Sequence, residues 1–329
     1  MSALAASHPT LLDLAKRLDP DGKIDVIAEI LTQENPILED MNFVEGNLPT
    51  GHRTTIRTGL PTPTWRKLYG GVQPTKSNTA QVTDSCGMLE AYAEVDKALA
   101  DLNGNTAAFR LSEDRAHIEG MAQELASTII YGNEGDQPEA FTGLAQRYNS
   151  LSAANADNIV SAGGTGSDNT SIWLVVWGPQ TTFCIYPKGS KAGLQQTDMG
   201  IELVDAPDSS GKYRAYRTHY RQDVGLVVRD WRYVVRIANI DVSDLGTVAN
   251  TKNLITWMIK ASERIPVLGR GRAAWYVNRG IRENLRLGIL EKVSSNLSWE
   301  TVEGKRVMMF DGIPVRRCDA ITNSEAVVA

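Results

Sequence analysis

The sequence predicts a mixed α+β chain, and three observations carry that reading. Apolar residues recur at helical spacing through much of the first 131 residues. From about residue 170 the composition turns to runs of β-branched and aromatic residues. Inside the first part, residues 46–83 fit neither pattern and read as a long hairpin. With 329 residues, 42% of them hydrophobic and 22% charged, the chain can build one large domain or two intimate ones.

The N-terminal part opens on two short helices within residues 10–34. Leu11, Leu14, Ala15 and Leu18 share a face, Asp19-Pro20-Asp21-Gly22 interrupts, and Ile24, Ile27, Ile30 and Leu31 repeat the pattern. Asp13, Lys16 and Arg17 lie inside the first stripe, so the start reads as an amphipathic helix and not as a secretory signal. No run approaches the ~18 apolar residues of a membrane span. Stripes this narrow fit an arm that docks on something else.

Residues 46–83 are rich in Thr, Gly and Pro and hold no Asp or Glu, while Arg53, Arg57, Arg66, Lys67 and Lys76 supply five positive charges. Residues 53–58 are β-prone, Pro61, Pro63, Gly70 and Gly71 mark a bent tip, and residues 75–83 return as a second strand. Arms of ~19 residues at ~3.3 Å each would reach roughly 60 Å before curvature. A two-stranded arm with so little apolar surface needs a second surface to lie on, and its charge asks for an acidic one.

Residues 88–102 are expected to begin a helical region that residues 103–105 interrupt. Ser112 then reads as an N-cap, with Glu113 and Asp114 where the helix dipole favours acids. Ile118, Met121, Ala122, Leu125 and Ile129 fall on one face, and Gly132-Asn133 ends the helix. Positions 113–131 would span about 28 Å at 1.5 Å per residue, and Glu113, Asp114, Glu119 and Glu124 make the helix acidic. Strands are expected at 172–176, 182–186, 213–219, 225–228, 233–237, 272–277, 306–310 and 313–315, with a turn at 208–211. Helices are expected at 250–262 and 279–287.

Catalytic signatures are missing. There is no GxSxG, HExxH or GxxxxGK[ST]. His8, His52, His117 and His219 are scattered, and Cys86, Cys184 and Cys318 form no CxxC pair, so no metal, cofactor or disulfide framework is expected. Gly269-Arg270-Gly271-Arg272-Ala273-Ala274 has the form of a dinucleotide loop, but a strand and not a helix is expected after it. Gly163 to Ser167 reads as a plain loop. Arg264, Arg270, Arg272, Arg279, Arg282 and Arg286 lie near Trp275 and Tyr276, a combination that can hold single-stranded nucleic acid. A subunit interface or a solvated helix face is the preferred reading. The net charge of −5 argues against nucleic-acid affinity as the main task, though not against enclosing DNA.

The order of these parts resembles a phage shell-protein family, the Hong Kong 97-type fold. Helical arm, basic hairpin and acidic helix are followed by Pro138-Glu139-Ala140-Phe141-Thr142-Gly143-Leu144, similar to that family's "F-x-GL" turn, while Gly312-Ile313-Pro314-Val315 resembles its "G-x-PV" strand. Here that strand and its helix, 278–287, come after the strand pair of Trp177-Gly178 and Phe183 to Pro187. This permuted order is similar to the variant in a Bordetella podophage. The resemblance covers about residues 24–325. It implies an N-arm (1–45), an E-loop hairpin (46–87), a P-domain with spine helix (88–150), A-domain parts at 151–199 and 250–329, and a P-domain sheet at 200–249.

The resemblance implies a non-enzymatic major capsid protein. It would self-assemble as hexamers and pentamers into an icosahedral shell around packaged double-stranded DNA, in the virion capsid, after assembly in the host bacterial cytoplasm. A scaffolding protein, a portal and a cement (decoration) protein are the implied partners, with no membrane. No long cleavable scaffold segment is expected ahead of the fold, and no covalent cross-link through Lys67 or Lys76. The hairpin cations Arg53, Arg57, Arg66, Lys67 and Lys76 are expected to meet Glu113, Asp114, Glu119 and Glu124 on a neighbour's helix. The alternatives are an encapsulin-like compartment shell and, in another class, a carboxylate-dependent hydrolase on the β-rich half.

Overall fold

The computed structural model describes residues 32–104, 106–206, 211–246, 248–290, 296–302 and 305–329. The expected N-terminal helices and most of the turn at 208–211 lie outside the described residues. In chain order the strands are β1 (Phe43–Glu45), β2 (Gly51–Gly59), β3 (Asn78–Ser85), β4 (Gly87–Asp96), β5 (Ile159–Ser161), β6 (Asn169–Trp177), β7 (Thr182–Tyr186), β8 (Gln195–Asp205), β9 (Lys212–Val228), β10 (Val234–Asp241), β11 (Arg272–Val277), β12 (Leu297–Val302), β13 (Lys305–Phe310) and β14 (Ile313–Arg317). The long helices are α1 (Thr106–Tyr131), α2 (Val248–Ser262) and α3 (Arg279–Leu290). The chain divides into two compact units. Of the described residues, the first holds 32–33, 88–126 and 191–223, and the second holds 34–87, 127–190 and 224–329.

The second unit is built around β6. Its sequence, Asn-Thr-Ser-Ile-Trp-Leu-Val-Val-Trp, is apolar on both faces through its second half, and all nine residues are buried, as a central strand requires. It pairs antiparallel with β10 on one side and with β11 on the other. β11 pairs in parallel with β14, and β14 continues antiparallel to β13 and β12. The alternate residues Ile172, Leu174 and Val176 share a core with Val235, Ile237, Trp275 and Val277. Leu254 and Met258 of α2 and Ile281 and Leu285 of α3 close over that face. The expected apolar stripe of α2 is buried at Leu254, Met258 and Ala261, with Trp257 partly buried against it.

In the first unit β8 pairs antiparallel with β9, from Gln195↔Arg221 to Asp205↔Lys212, and β9 is flanked by β4 on its other side. Residues 88–96 are therefore a strand and not the start of a helical region. Leu89, Ala91, Ala93 and Val95 turn inward while Met88, Glu90 and Tyr92 are exposed, a period of two that outweighs the helix propensity of Met, Leu, Ala and Glu. The helix also begins earlier than expected. Thr106 starts α1, its hydroxyl donating to Asp101 Oδ1 at 2.9 Å, so Ser112 lies inside the helix and not at its N-cap. Phe109 forms a buried cluster with Val95, Leu99 and Ala100, and that cluster draws about two additional turns into the helix. Met121 packs with Ala93 and Tyr220. Ile118, expected in the stripe, is 38% exposed.

The helix ends at Tyr131, as Gly132-Asn133 implies. Gly132 N–H donates to Thr128 O at 2.8 Å, and Gly143 N–H donates to Gly132 O at 2.8 Å. The Phe141-Thr142-Gly143-Leu144 turn thus folds back on the helix end, with Phe141 and Leu144 buried. A Cβ on Gly143 would meet Thr128 O at 2.5 Å and Ile129 O at 2.9 Å. Gly143→Ala is accordingly expected to cost about 1–3 kcal/mol by overpacking, measured by denaturant unfolding, whereas Gly120→Ala, which meets nothing within 4 Å, should be neutral or stabilising.

The hairpin is present but its regular part is shorter than expected. The β2–β3 ladder runs from Gly51↔Ser85 to Gly59↔Asn78, about 30 Å at ~3.3 Å per residue. Residues 60–77 leave the ladder because Pro61, Pro63 and Pro74 lack N–H donors and Gly70-Gly71 turns the chain.

Candidate functional site

Arg53, Arg57, Arg66, Lys67 and Lys76 are all exposed, and none has an ion-pair partner among the described residues. Arg53 is positioned rather than neutralised. Its N–H donates to Asn47 Oδ1 at 2.7 Å, its carbonyl accepts from Asn47 Nδ2 at 2.8 Å, and its Nε donates to Thr83 at 3.3 Å. The tip also exposes Leu60, Trp65, Leu68 and Tyr69, the last three at 102%, 84% and 104% for Trp65, Leu68 and Tyr69. Large side chains fully in water on an arm with no core of its own mark a contact surface.

The base of the hairpin is fixed. Asp84, 6% exposed, pairs with Arg147 at 2.8 Å, and Arg147 also donates to Leu226 O at 2.9 Å. His52 meets Phe183 edge-on at 5.6 Å. Burial lowers the imidazole pKa below 6.5; Asp84 opposes that shift and Arg229 adds to it. The folded state therefore favours neutral His52. As pH falls below 6.5 the unfolded chain takes up a proton that the folded one resists, so stability declines down to the lowered folded value and then levels off. His52→Gln is expected to flatten this part of a stability-versus-pH curve, measured by urea midpoints between pH 7 and pH 5.

The four acids belong to α1 in the first unit. Glu124 is exposed, and Glu113, Asp114 and Glu119 are half-buried. Glu119 accepts from Gln33 N–H at 3.0 Å and from Gln123 at 2.7 Å, and Asp114 is hydrogen-bonded to Tyr220. A carboxylate has about four acceptor positions, so these bonds leave capacity for a further donor.

The basic run near the C-terminus does not make a nucleic-acid platform, because Trp275 and Tyr276 are fully buried. Arg272 and the unforeseen Arg316 instead hold Asp40, at 2.9 and 3.0 Å, in a 1% exposed position. The Tyr276 hydroxyl donates to Asp40 Oδ2 at 2.7 Å and accepts from Trp177 Nε1 at 2.8 Å. A second buried cluster joins Arg236 and Glu325, each 4% exposed and 2.7 Å apart. Ser171 and Tyr131 donate to the same carboxylate, and Arg236 donates to Tyr148 O at 2.8 Å. Both clusters pair their buried charges within the subunit, although Asp40 Oδ1 and Arg316 Nε each sit in an ion pair without a formed hydrogen bond. Burial pushes the Cys318 thiol up to about 12 and raises that of Cys184 further, so neither is a poised nucleophile. Gly271 is followed by the strand β11 and not by a helix, as expected for a chance match to the dinucleotide pattern.

The family model described as major capsid protein GP7 matches residues 19–329. The chain belongs to this family of phage major capsid proteins. The structure of bacteriophage Epsilon15 contains a chain 39% identical to this capsid protein, covering 100% of both chains with a TM-score of 0.77. The bacteriophage JBD30 capsid, at 9% identity, covers 89% of this capsid protein and 93% of its own chain with a TM-score of 0.51, a likeness of fold. The SrpI encapsulin from Synechococcus elongatus is more distant, at 13% identity, 73% and 99% coverage and a TM-score of 0.46. None of the curated proteins compared with the chain matches it. The capsid protein is thus a structural subunit of a phage shell, with the mixed α+β fold of such subunits.

Proposed function

We propose that this capsid protein builds hexamers and pentamers of an icosahedral shell in which the basic hairpin of one copy lies across the acidic α1 of the next. The observation that carries this reading is the hairpin itself. Arg53 and Arg57 on the ladder, Arg66, Lys67 and Lys76 beyond it, and the exposed Trp65–Tyr69 tip project from a hairpin whose base is held by Asp84–Arg147 and His52–Phe183. Glu113, Asp114, Glu119 and Glu124 supply the opposite charge on a helix that recurs in every copy. In this reading the enclosed cargo is packaged double-stranded DNA, assembly takes place in the host cytoplasm, and a scaffolding protein, a portal and a cement protein complete the particle; membership of a phage capsid family supports it. The subunit performs no catalysis.

Ion pairs at such a contact respond to salt, because the screening length falls from about 10 Å at 0.1 M to 3 Å at 1 M. Assembly of purified subunits, followed by light scattering, is expected to slow and stop as salt rises through that range while circular dichroism stays unchanged. Assembly that is indifferent to salt, or strengthened by it, would place the contact on apolar surface instead.

A further inference from the structure

A recess of about 570 Å³ lies beside α3 in the second unit, away from the hairpin residues invoked above. Arg279, Arg282 and Arg286 reach it from α3 at i, i+3 and i+7, and Arg306 and Arg317 line it from β13 and β14. Two of the five are neutralised: Arg317 by Asp319 at 2.7 Å and Glu34 at 3.4 Å, and Arg279 by the same Asp319 at 3.2 Å. Arg282, Arg286 and Arg306 have no ion-pair partner among the described residues. Arg282 is half-buried, and its Nε is shut away from solvent with no acceptor. Burial lowers its pKa; Glu34 and, less, Asp319 oppose that shift, and Arg286 and Arg317 add to it. Half-buried positive charge in excess of its counter-ions is costly, and among the described lining residues Glu283 is the one carboxylate set against five arginines.

The walls say what kind of anion. Leu287 and Leu290 are 46% and 79% exposed, and Trp299, with Arg286 stacked 5.6 Å over its ring, is 38% exposed. A duplex phosphate backbone offers nothing to such apolar surface. Carboxylates match the planar guanidinium fork, and Glu34 on Arg317 is an example of that pairing at the edge of this site. We propose that the recess is a docking site for an acidic segment of a separate protein partner, one with carboxylates a helical turn apart beside leucine-like side chains. The arginine spacing on α3 and the apolar rim of Leu287 and Leu290 read that combination together.

A fluorescein-labelled synthetic peptide of about 15 residues, with glutamates at i, i+3 and i+4 spacing and leucines between them, tests this on the full-length chain by anisotropy. Binding is expected to weaken about tenfold in Arg286→Gln, equivalent to about 1.4 kcal/mol, and to weaken also in Leu290→Ser. Arg306→Gln, on an exposed strand position, gives an independent reading should a helix variant fold poorly. Unchanged affinity in both arginine variants overturns the proposal. So does a duplex oligonucleotide that binds as tightly as the peptide and ignores Leu290→Ser, which would make this a nucleic-acid patch. Loss of self-association in Arg286→Gln with peptide affinity unaltered would assign the recess to another copy of this chain and likewise overturn it.

Discussion

Glu325→Ala is expected to destabilise the chain by about 3–5 kcal/mol, because it leaves the Arg236 guanidinium buried without its counter-charge. The loss extends beyond one pair. Ser171 and Tyr131 both donate to the same carboxylate, and Glu325 N–H also bonds Asn169 O at 2.9 Å, so the C-terminal segment is tied to β6 and to the end of α1 through this residue. A melting temperature lowered on the order of 10 °C is the expected readout. Glu325→Gln, which keeps acceptors but removes the charge, should cost less than alanine. If alanine and glutamine variants melt together with the parent, the cluster is dispensable and the buried-network account is wrong.

Arg57→Glu combined with Arg66→Glu is expected to abolish assembly while leaving the subunit folded. Each exposed pair is worth only about 0.2–1 kcal/mol. Reversal changes attraction to repulsion at both positions, however, and a closed shell repeats the penalty at every interface. The hairpin has little core of its own, so folding should be spared, with circular dichroism and thermal melting close to those of the parent. Lysine at Glu119 or Glu124 is expected to restore part of the assembly. Normal particles from the double reversal would rule out the pairing, and absence of rescue with intact folding would move the acceptor to another acidic surface.

Much of the fold was legible in the sequence because its strongest signals are local. The run Ile172 to Trp177 is short, aromatic and β-branched, which favours a strand, and the Leu254, Met258, Ala261 stripe has one period. Residues 88–96 misled because two signals compete there. Composition favours helix, yet the alternation of Leu89, Ala91, Ala93 and Val95 with Glu90, Tyr92, Glu94 and Asp96 was visible and decides the outcome once β9 supplies a partner. β8 was missed because it is an edge strand whose pattern is mostly exposed.

The buried charges were harder to foresee. Arg236 stands inside Val-Val-Arg-Ile-Ala, and a single charge within an apolar run is the sequence mark of a paired, buried ion. Its partner Glu325 lies 89 positions away, and nothing local points to it. Asp40 likewise meets Arg272 and Arg316 only through tertiary packing. The hairpin cations were conspicuous for the opposite reason: the sequence around them contains no acid at all.

Cryo-electron microscopy of particles assembled from the purified chain tests the central claim most directly. The account predicts closed shells of defined size in which the guanidinium groups of Arg57 and Arg66 lie within about 4 Å of carboxylates on α1 of a neighbouring copy, the distance of an ion pair. Monodisperse small particles, or shells in which both arginines face solvent or the shell interior, would contradict it.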